Sequence, residues 1–166
     1  ASVFQLYSGK INRNMKNDLM LNLFKQTLDI MFIQNIRENE GGTYGISTDI
    51  RCRRFPEGLT TLQIVFDTDT AKLERIKPIL HACVEKIANE GIDSETLNML
   101  VDYTQKEFEA MQGNNAYWNS VLSTYYLYNE DIFSDYIISL KSITPDDIKN
   151  LANNLLKQIN TLFLIL

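Results

Sequence analysis

One histidine, two cysteines and three prolines are all that these 166 residues hold of those types. A single imidazole excludes the H-x-x-E-H zinc motif, which needs two. A catalytic zinc takes about three protein ligands, mostly histidine and carboxylate. His81 lies in PILHACVEKI, two residues before Cys83. Helix positions two apart do not face one another, so this is no His/Cys metal pair, and His81 reads as a packing residue. A serine, cysteine or threonine nucleophile needs a base within reach, and the one imidazole has no evident partner. The cysteines make no disulfide framework: Cys52 falls on a strand-like segment and Cys83 on a helical one. They read as free, buried thiols and leave the compartment open. Excess basic charge is also missing. The net charge of −5 argues against a nucleic-acid partner. No apolar run approaches the roughly 18 residues of a membrane-spanning helix. The terminal LFLIL reads as a buried strand. No glycine-rich phosphate loop occurs, because Gly41, Gly42 and Gly45 follow a helix instead of opening one.

What is present fits an ordinary globular chain. Hydrophobic residues make up 45% and charged residues 22%. The length suits a single domain over 1–166, able to bury roughly 70% of its extended-chain surface. No signal peptide is visible, and both ends lie in strand-like segments. The chain is therefore expected to be a piece of a longer polypeptide.

Periodicity sets the expected elements. VFQLYS at 3–8 reads as a strand. A helical pattern runs from about Asn17 to Asn39 through Leu19, Leu23, Thr27 and Ile30, and Gly41 and Gly42 stop it. Residues 44–54 alternate, with Tyr44, Ile46, Thr48, Ile50 and Cys52 on one face. Phe55-Pro56-Glu57-Gly58 is turn chemistry, and 59–67 alternate again, which predicts a hairpin. Helices are expected from Thr70, as cap, to about Asn89, and from Asp93 or Ser94 to the break at Gly113-Asn114-Asn115. An aromatic helix follows over 116–128, a short one near 132–140, and one from the Thr144-Pro145-Asp146-Asp147 start to Lys157. Residues 161–166 close the chain as a strand. The order strand, helix, hairpin, helices, strand predicts an α+β fold. It should be a two-layer sandwich, an antiparallel β-sheet covered by helices on one face.

The segment Arg37-Glu38-Asn39-Glu40-Gly41-Gly42-Thr43-Tyr44-Gly45 joins the long helix to the first hairpin strand. Arginine offers a planar cationic fork and tyrosine a hydroxyl donor. Both suit a peptide carbonyl, or the oxyanion formed when that carbonyl is attacked. Helix-ending glycines and surface arginines are also common without any function. Glu38 and Glu40 read as solvating a helix end. Asn114, Asn115, Tyr117 and Trp118 form a second polar and aromatic cluster, which on its residues alone reads as a helix break followed by core aromatics.

IRENEGGTYGIS resembles the second-half signature of the pitrilysin/insulinase family of zinc metallopeptidases, above all its bacterial, periplasmic zinc-protease-like branch. YSGK, GNNAYW followed by TYYLYNED, and SLKSITPDDIKNLANNLL occur in the order that family would give. The resemblance spans nearly the whole chain. It implies a substrate-contacting domain without the zinc motif, from the C-terminal half of a peptide-hydrolysing enzyme. Arg37 would anchor the substrate carbonyl. Tyr44 would stabilise the tetrahedral intermediate formed at zinc in the other half. Gly41, Gly42, Thr43, Asn115, Tyr117 and Trp118 would line the substrate path. The implied partners are a zinc-bearing N-terminal half, on the same polypeptide or a separate subunit, and a peptide. No metal is expected in this chain, which by itself should be inactive. A structural or assembly subunit of the same family, or a peptide-binding module, remain as other readings.

Overall fold

Alternating segments and 3.6-residue segments resolve into strands and helices in the expected order in the computed structural model. It describes residues 2–38, 43–158 and 160–165, with side chains for all of these except 37, 38, 43, 44, 160–163 and 165. The strands are β1 (Ser2–Lys10), β2 (Thr43–Cys52), β3 (Leu59–Thr68) and β4 (Asn160–Ile165). The helices are α1 (Met15–Phe32), α2 (Thr70–Glu90), α3 (Ser94–Met111), α4 (Asn115–Tyr128), α5 (Tyr136–Lys141) and α6 (Pro145–Lys157). All neighbouring strands are antiparallel, in the order β2-β3-β1-β4. The first strand β1 therefore lies inside the sheet between β3 and β4, and β2 and β4 form its two edges.

Alternation decides which face of the sheet is covered. Val3, Gln5 and Tyr7 of β1 stand opposite Phe66, Ile64 and Leu62 of β3, and all six are buried. Helices α1 and α6 pack against β2 and β1, with α2 packed on α6. Val65 and Leu164, on the other face, are exposed. The helical side is filled by Leu23, Phe24, Leu28 and Phe32 of α1, Ile76 and Leu80 of α2, and Ile148 and Ala152 of α6. Every one of these recurs at three- or four-residue spacing, which is why one stripe of each helix meets the sheet.

Helix starts follow local chemistry. The side chains of Asn14, Asp69, Asp93, Asn114 and Thr144 each accept a hydrogen bond from a backbone N–H in the first turn of the helix they precede. Thr144 and Asp147 form a reciprocal capping box. The expected cap Thr70 proves to be the first helical residue, because the Asp69 carboxylate one position earlier takes the Ala71 N–H. In the hairpin turn Gly58 has φ +72°, and a Cβ there would lie 2.6 Å from the Ile11 carbonyl oxygen. Only glycine fits that approach.

Three expectations change. The long helix does not stay α-helical: after Phe32 it widens into a π-helical segment, Ile33–Glu38. The α5 helix is shorter than the 132–140 pattern suggested. In the aromatic helix α4 the expected core aromatics Tyr117 and Trp118 are only half-buried, Val121 alone is buried, and Tyr125, Tyr126 and Tyr128 are exposed. Aromatic content gave that helix an interior composition, but nothing is layered over its outer side among the described residues.

Candidate functional site

The segment from Arg37 to Tyr44 is held at both ends by regular structure. On the helical side Ile36 has no exposed surface, and Asn35 Nδ2 donates to the Met31 carbonyl at 2.8 Å. On the strand side Thr43 pairs with Thr68. The π-helical segment packs against β2, so Arg37 and Tyr44 sit on elements that touch. Gly41 and Gly42, with Asn39 and Glu40, lie outside the described residues, as do the side chains of Arg37, Thr43 and Tyr44.

Two backbone irregularities flank this segment. One is the π-helical ending, a rare form that occurs often at functional sites. The other is a register shift. Thr43 pairs with Thr68 and Ile46 with Phe66, so β2 spends one residue more than β3 over this stretch. That is a β-bulge, which breaks strict alternation. The period-two pattern that grouped Tyr44 with Ile46 therefore holds only from Ile46 onward. Gly45, inside the bulge, has open space where a Cβ would sit.

The second expected cluster lies elsewhere. Asn115 is exposed in the first turn of α4. Trp118 is half-buried, and its indole Nε1 donates to the Gln112 carbonyl at 2.8 Å. Tyr117 meets Phe108 edge-on at 6.2 Å between ring centroids, and Phe108 stacks on Tyr136 at 4.0 Å. Trp118 packs on Phe133 at 4.9 Å. These rings close the end of α3 against α4 and α5. Helix α3 runs antiparallel to α1: Thr96 lines the same cavity as Ile30 and Asn35, and Thr104 accepts from Gln26. Phe108 therefore lies roughly 20 Å from Arg37 along the helix axes. The fold does not bring Asn115, Tyr117 and Trp118 to the Arg37–Tyr44 segment.

His81 is not a packing residue. Its side chain is 54% exposed on the outer side of α2, where Nε2 lies 3.2 Å from Glu85 Oε1. Cys83 is buried, and burial pushes its thiol up to about 11, the opposite of what a nucleophilic thiol needs. Among the described residues no group of three or more His, Cys, Asp or Glu could hold a metal ion. The donor set for zinc is not in them. No helix among the described residues is long and apolar enough to cross a membrane.

Sequence reasoning missed an ionic knot that ties the start of α1 to the hairpin turn and the end of α4. Arg13 Nη1 donates to both carboxylate oxygens of Glu130, at 2.9 and 2.6 Å, and Arg54 donates to the same group. Arg54 also lies over the Tyr128 ring, 3.7 Å from its centroid. Burial opposes ionisation of Glu130, but the hydrogen bonds from Arg13 and Arg54 outweigh it and hold its pKa below the usual value. A lowered folded-state pKa gives stability that is present above the unfolded pKa and lost as pH falls through the folded one. Glu130→Gln is therefore expected to cost about 1–2 kcal/mol at pH 7, with the gap to the parent chain closing below about pH 4. Urea midpoints of both proteins at pH 7, 5 and 3 check this. The nearby Asp18 shifts the opposite way, raised by burial and in part by the Glu130 charge, so removing that charge relieves part of its shift.

The fold has close relatives among solved structures. The chain superimposes on the periplasmic protease PqqL from Escherichia coli with a TM-score of 0.85 and 17% identity, over 98% of this chain and 18% of that one. A protease from Helicobacter pylori gives a TM-score of 0.78 at 14% identity, with 98% and 40% covered. A peptidase M16 inactive domain from Pseudomonas fluorescens gives 0.74 at 18% identity, with 98% and 40% covered. The chain thus spans less than half the length of each of these three. No curated protein sequence matches it. The sequence model of the "Peptidase M16 inactive domain" matches residues 3–103, more than half the chain. This chain belongs to that family, as a C-terminal-type, non-catalytic domain of the pitrilysin/insulinase-like zinc peptidases.

Proposed function

We propose that this domain supplies the substrate contacts of a zinc metallopeptidase that hydrolyses peptides, and that the zinc sits in a separate, N-terminal half. The observation that carries the reading is the Arg37–Tyr44 segment. It lies between a π-helical end and a β-bulge in a member of the M16 inactive-domain family. Arg37 holds the substrate carbonyl with its guanidinium fork. The Tyr44 hydroxyl donates to the oxyanion that forms when that carbonyl is attacked. Gly41, Gly42 and Thr43 let the peptide backbone approach. Tyr117 and Trp118 are assigned to packing at the far end, where their ring contacts support that role, and Asn115 stays exposed beside them.

Mixing tests the reading. The chain alone is expected to show no chelator-sensitive peptide cleavage, and neither is a zinc-bearing half alone. Activity should appear when the two are combined. Cleavage by the zinc half that is unchanged by adding this chain would count against a substrate role. It would favour the second reading, a structural or assembly subunit, which the exposed Tyr126 and Leu127 of α4 support.

A further inference from the structure

We propose that the cleft between the hairpin turn and the end of α4 holds the C-terminal residue of a peptide, with its carboxylate on Arg54 and a large apolar side chain against Phe55. This rests on the peptide-handling reading and extends it by naming the part of a peptide that a second site would take.

The cleft is a cavity of about 390 Å³ lined by Arg13, Arg54, Phe55, Glu57, Tyr128 and Glu130. That volume suits a small ligand. Three separate stretches meet there: the connection from β1 to α1, the turn from β2 to β3 and the end of α4. Arg54 lies just beyond β2, roughly 30 Å along that strand from Tyr44. The cleft is therefore apart from the Arg37–Tyr44 segment.

Backbone bonds fix the walls before any ligand arrives. The Gly58 N–H donates to the Arg53 carbonyl at 3.1 Å, and the Ile11 N–H donates to the Gly58 carbonyl at 2.9 Å. The second bond pins the turn to the connection that carries Arg13. On the opposite wall Asn129 ends α4 with φ +52°, and Glu130 follows it directly. Asparagine is one of the few residues besides glycine that adopts this conformation routinely. Three described residues have a positive φ, and two of them, Gly58 and Asn129, adjoin lining residues of this cleft. Such conformations gather at functional sites.

The charges in the cleft are not matched one to one. Arg13 and Arg54 are only 19% and 25% exposed, and both donate to Glu130. One carboxylate cannot neutralise two guanidinium groups. The next acid, Asp18, stands 3.8 Å from Arg13, beyond hydrogen-bonding distance, and burial raises its pKa. Arg54 donates through Nη2 alone, so its Nε and Nη1 hydrogens have no acceptor among the described residues. Its guanidinium is held over the Tyr128 ring, 3.7 Å from the centroid, which fixes its orientation. A carboxylate pairs with such a free edge through two parallel hydrogen bonds.

Two further features have no part in an ionic knot. Phe55 is 76% exposed, a large apolar ring left in water beside the arginines. Glu57 is exposed and has neither an ion pair nor a hydrogen bond among the described residues. The last residue of a peptide answers all three groups. Its carboxylate meets Arg54, its side chain covers Phe55, and its amide N–H donates to Glu57.

The test is an NMR titration of the full chain, read by amide shifts. The probe is N-acetyl-phenylalanine, which carries the carboxylate, the ring and one amide. Saturable binding is expected with a Kd on the order of 1 mM, ordinary for so small a ligand. The shifts should centre on 54–57 and 128–130. N-acetyl-phenylalaninamide and N-acetyl-alanine should each bind about tenfold more weakly, for loss of the charged pair and of the ring. Acetyl-alanyl-phenylalanine should bind at least as well as the probe. Arg54→Lys keeps the charge, loses the fork and should weaken binding several-fold. Phe55→Ala should weaken it about tenfold and leave the thermal midpoint of the free chain unchanged, because the ring is exposed. The proposal is overturned if no saturation occurs by about 20 mM. It is also overturned if the amide binds like the acid, or if the shifts map away from the cleft. Equal binding of acetate or inorganic phosphate would leave an adventitious anion site only. Binding of free phenylalanine without binding of the acetylated probe would make the ligand an amino acid and overturn the peptide assignment. The readout is binding at residues remote from Tyr44, so failure of the Tyr44 assignment and failure of this one are separable.

Discussion

Tyr44→Phe is expected to lower kcat about 10²-fold, with a smaller change in KM, in a peptidase that carries this domain. Phenylalanine keeps the ring and removes only the hydroxyl. A donor that acts on the developing oxyanion stabilises the transition state more than the bound substrate, so the loss falls on the chemical step. Arg37→Lys is expected to behave differently. Lysine keeps the positive charge but presents a single ammonium in place of the planar fork. Carbonyl positioning then weakens already in the bound state, and KM should rise along with a fall in kcat. Steady-state kinetics of both variants, with circular dichroism to verify folding, decide the matter. A folded Tyr44→Phe enzyme with parental kcat would remove the pair from the chemistry and advance the assembly reading.

The largest effect on stability is expected from Phe24→Ala. Phe24 is 1% exposed on the α1 face that meets the sheet. Truncation removes a buried ring and leaves a cavity that a two-layer core closes only in part. The expected loss is about 3–5 kcal/mol, or about 10 °C in Tm for a chain of this size. Tyr126→Ala removes an equally large ring from α4, where Tyr126 is 79% exposed, and should stay within about 0.5 kcal/mol. Thermal unfolding of the two variants side by side checks both. A large loss for Tyr126→Ala would mean that α4 is covered in solution.

That contrast marks how far local sequence information reaches. Caps and periodicity placed the helix starts at Asp93 and Thr144 and the alternation of Leu62, Ile64 and Phe66, because these depend on neighbours a few residues apart. The two-layer α+β arrangement followed from the order of elements. The IRENEGGTYGIS signature pointed to the family that the sequence model and the fold share. The strand order did not follow. Nothing local says that β1 takes both β3 and β4 as neighbours and leaves β2 at the edge.

The errors share a cause. Tyr117, Trp118 and His81 were assigned to the interior from their own composition and neighbours, yet burial depends on what packs over a residue. The π-helical turn and the β-bulge beside Arg37 and Tyr44 arise where a helix end and a strand start must meet in one packed layer, a constraint absent from either segment alone. The Arg13–Glu130–Arg54 knot joins residues 117 and 76 positions apart, beyond any periodic pattern. By itself, then, the sequence determined the elements, their amphipathic faces, the family signature and the lack of a zinc motif, all set by short-range spacing or by composition. Tertiary structure alone decided which faces are covered, which strand stands at the edge and where distant charges meet, since those outcomes depend on contacts between segments far apart in the chain.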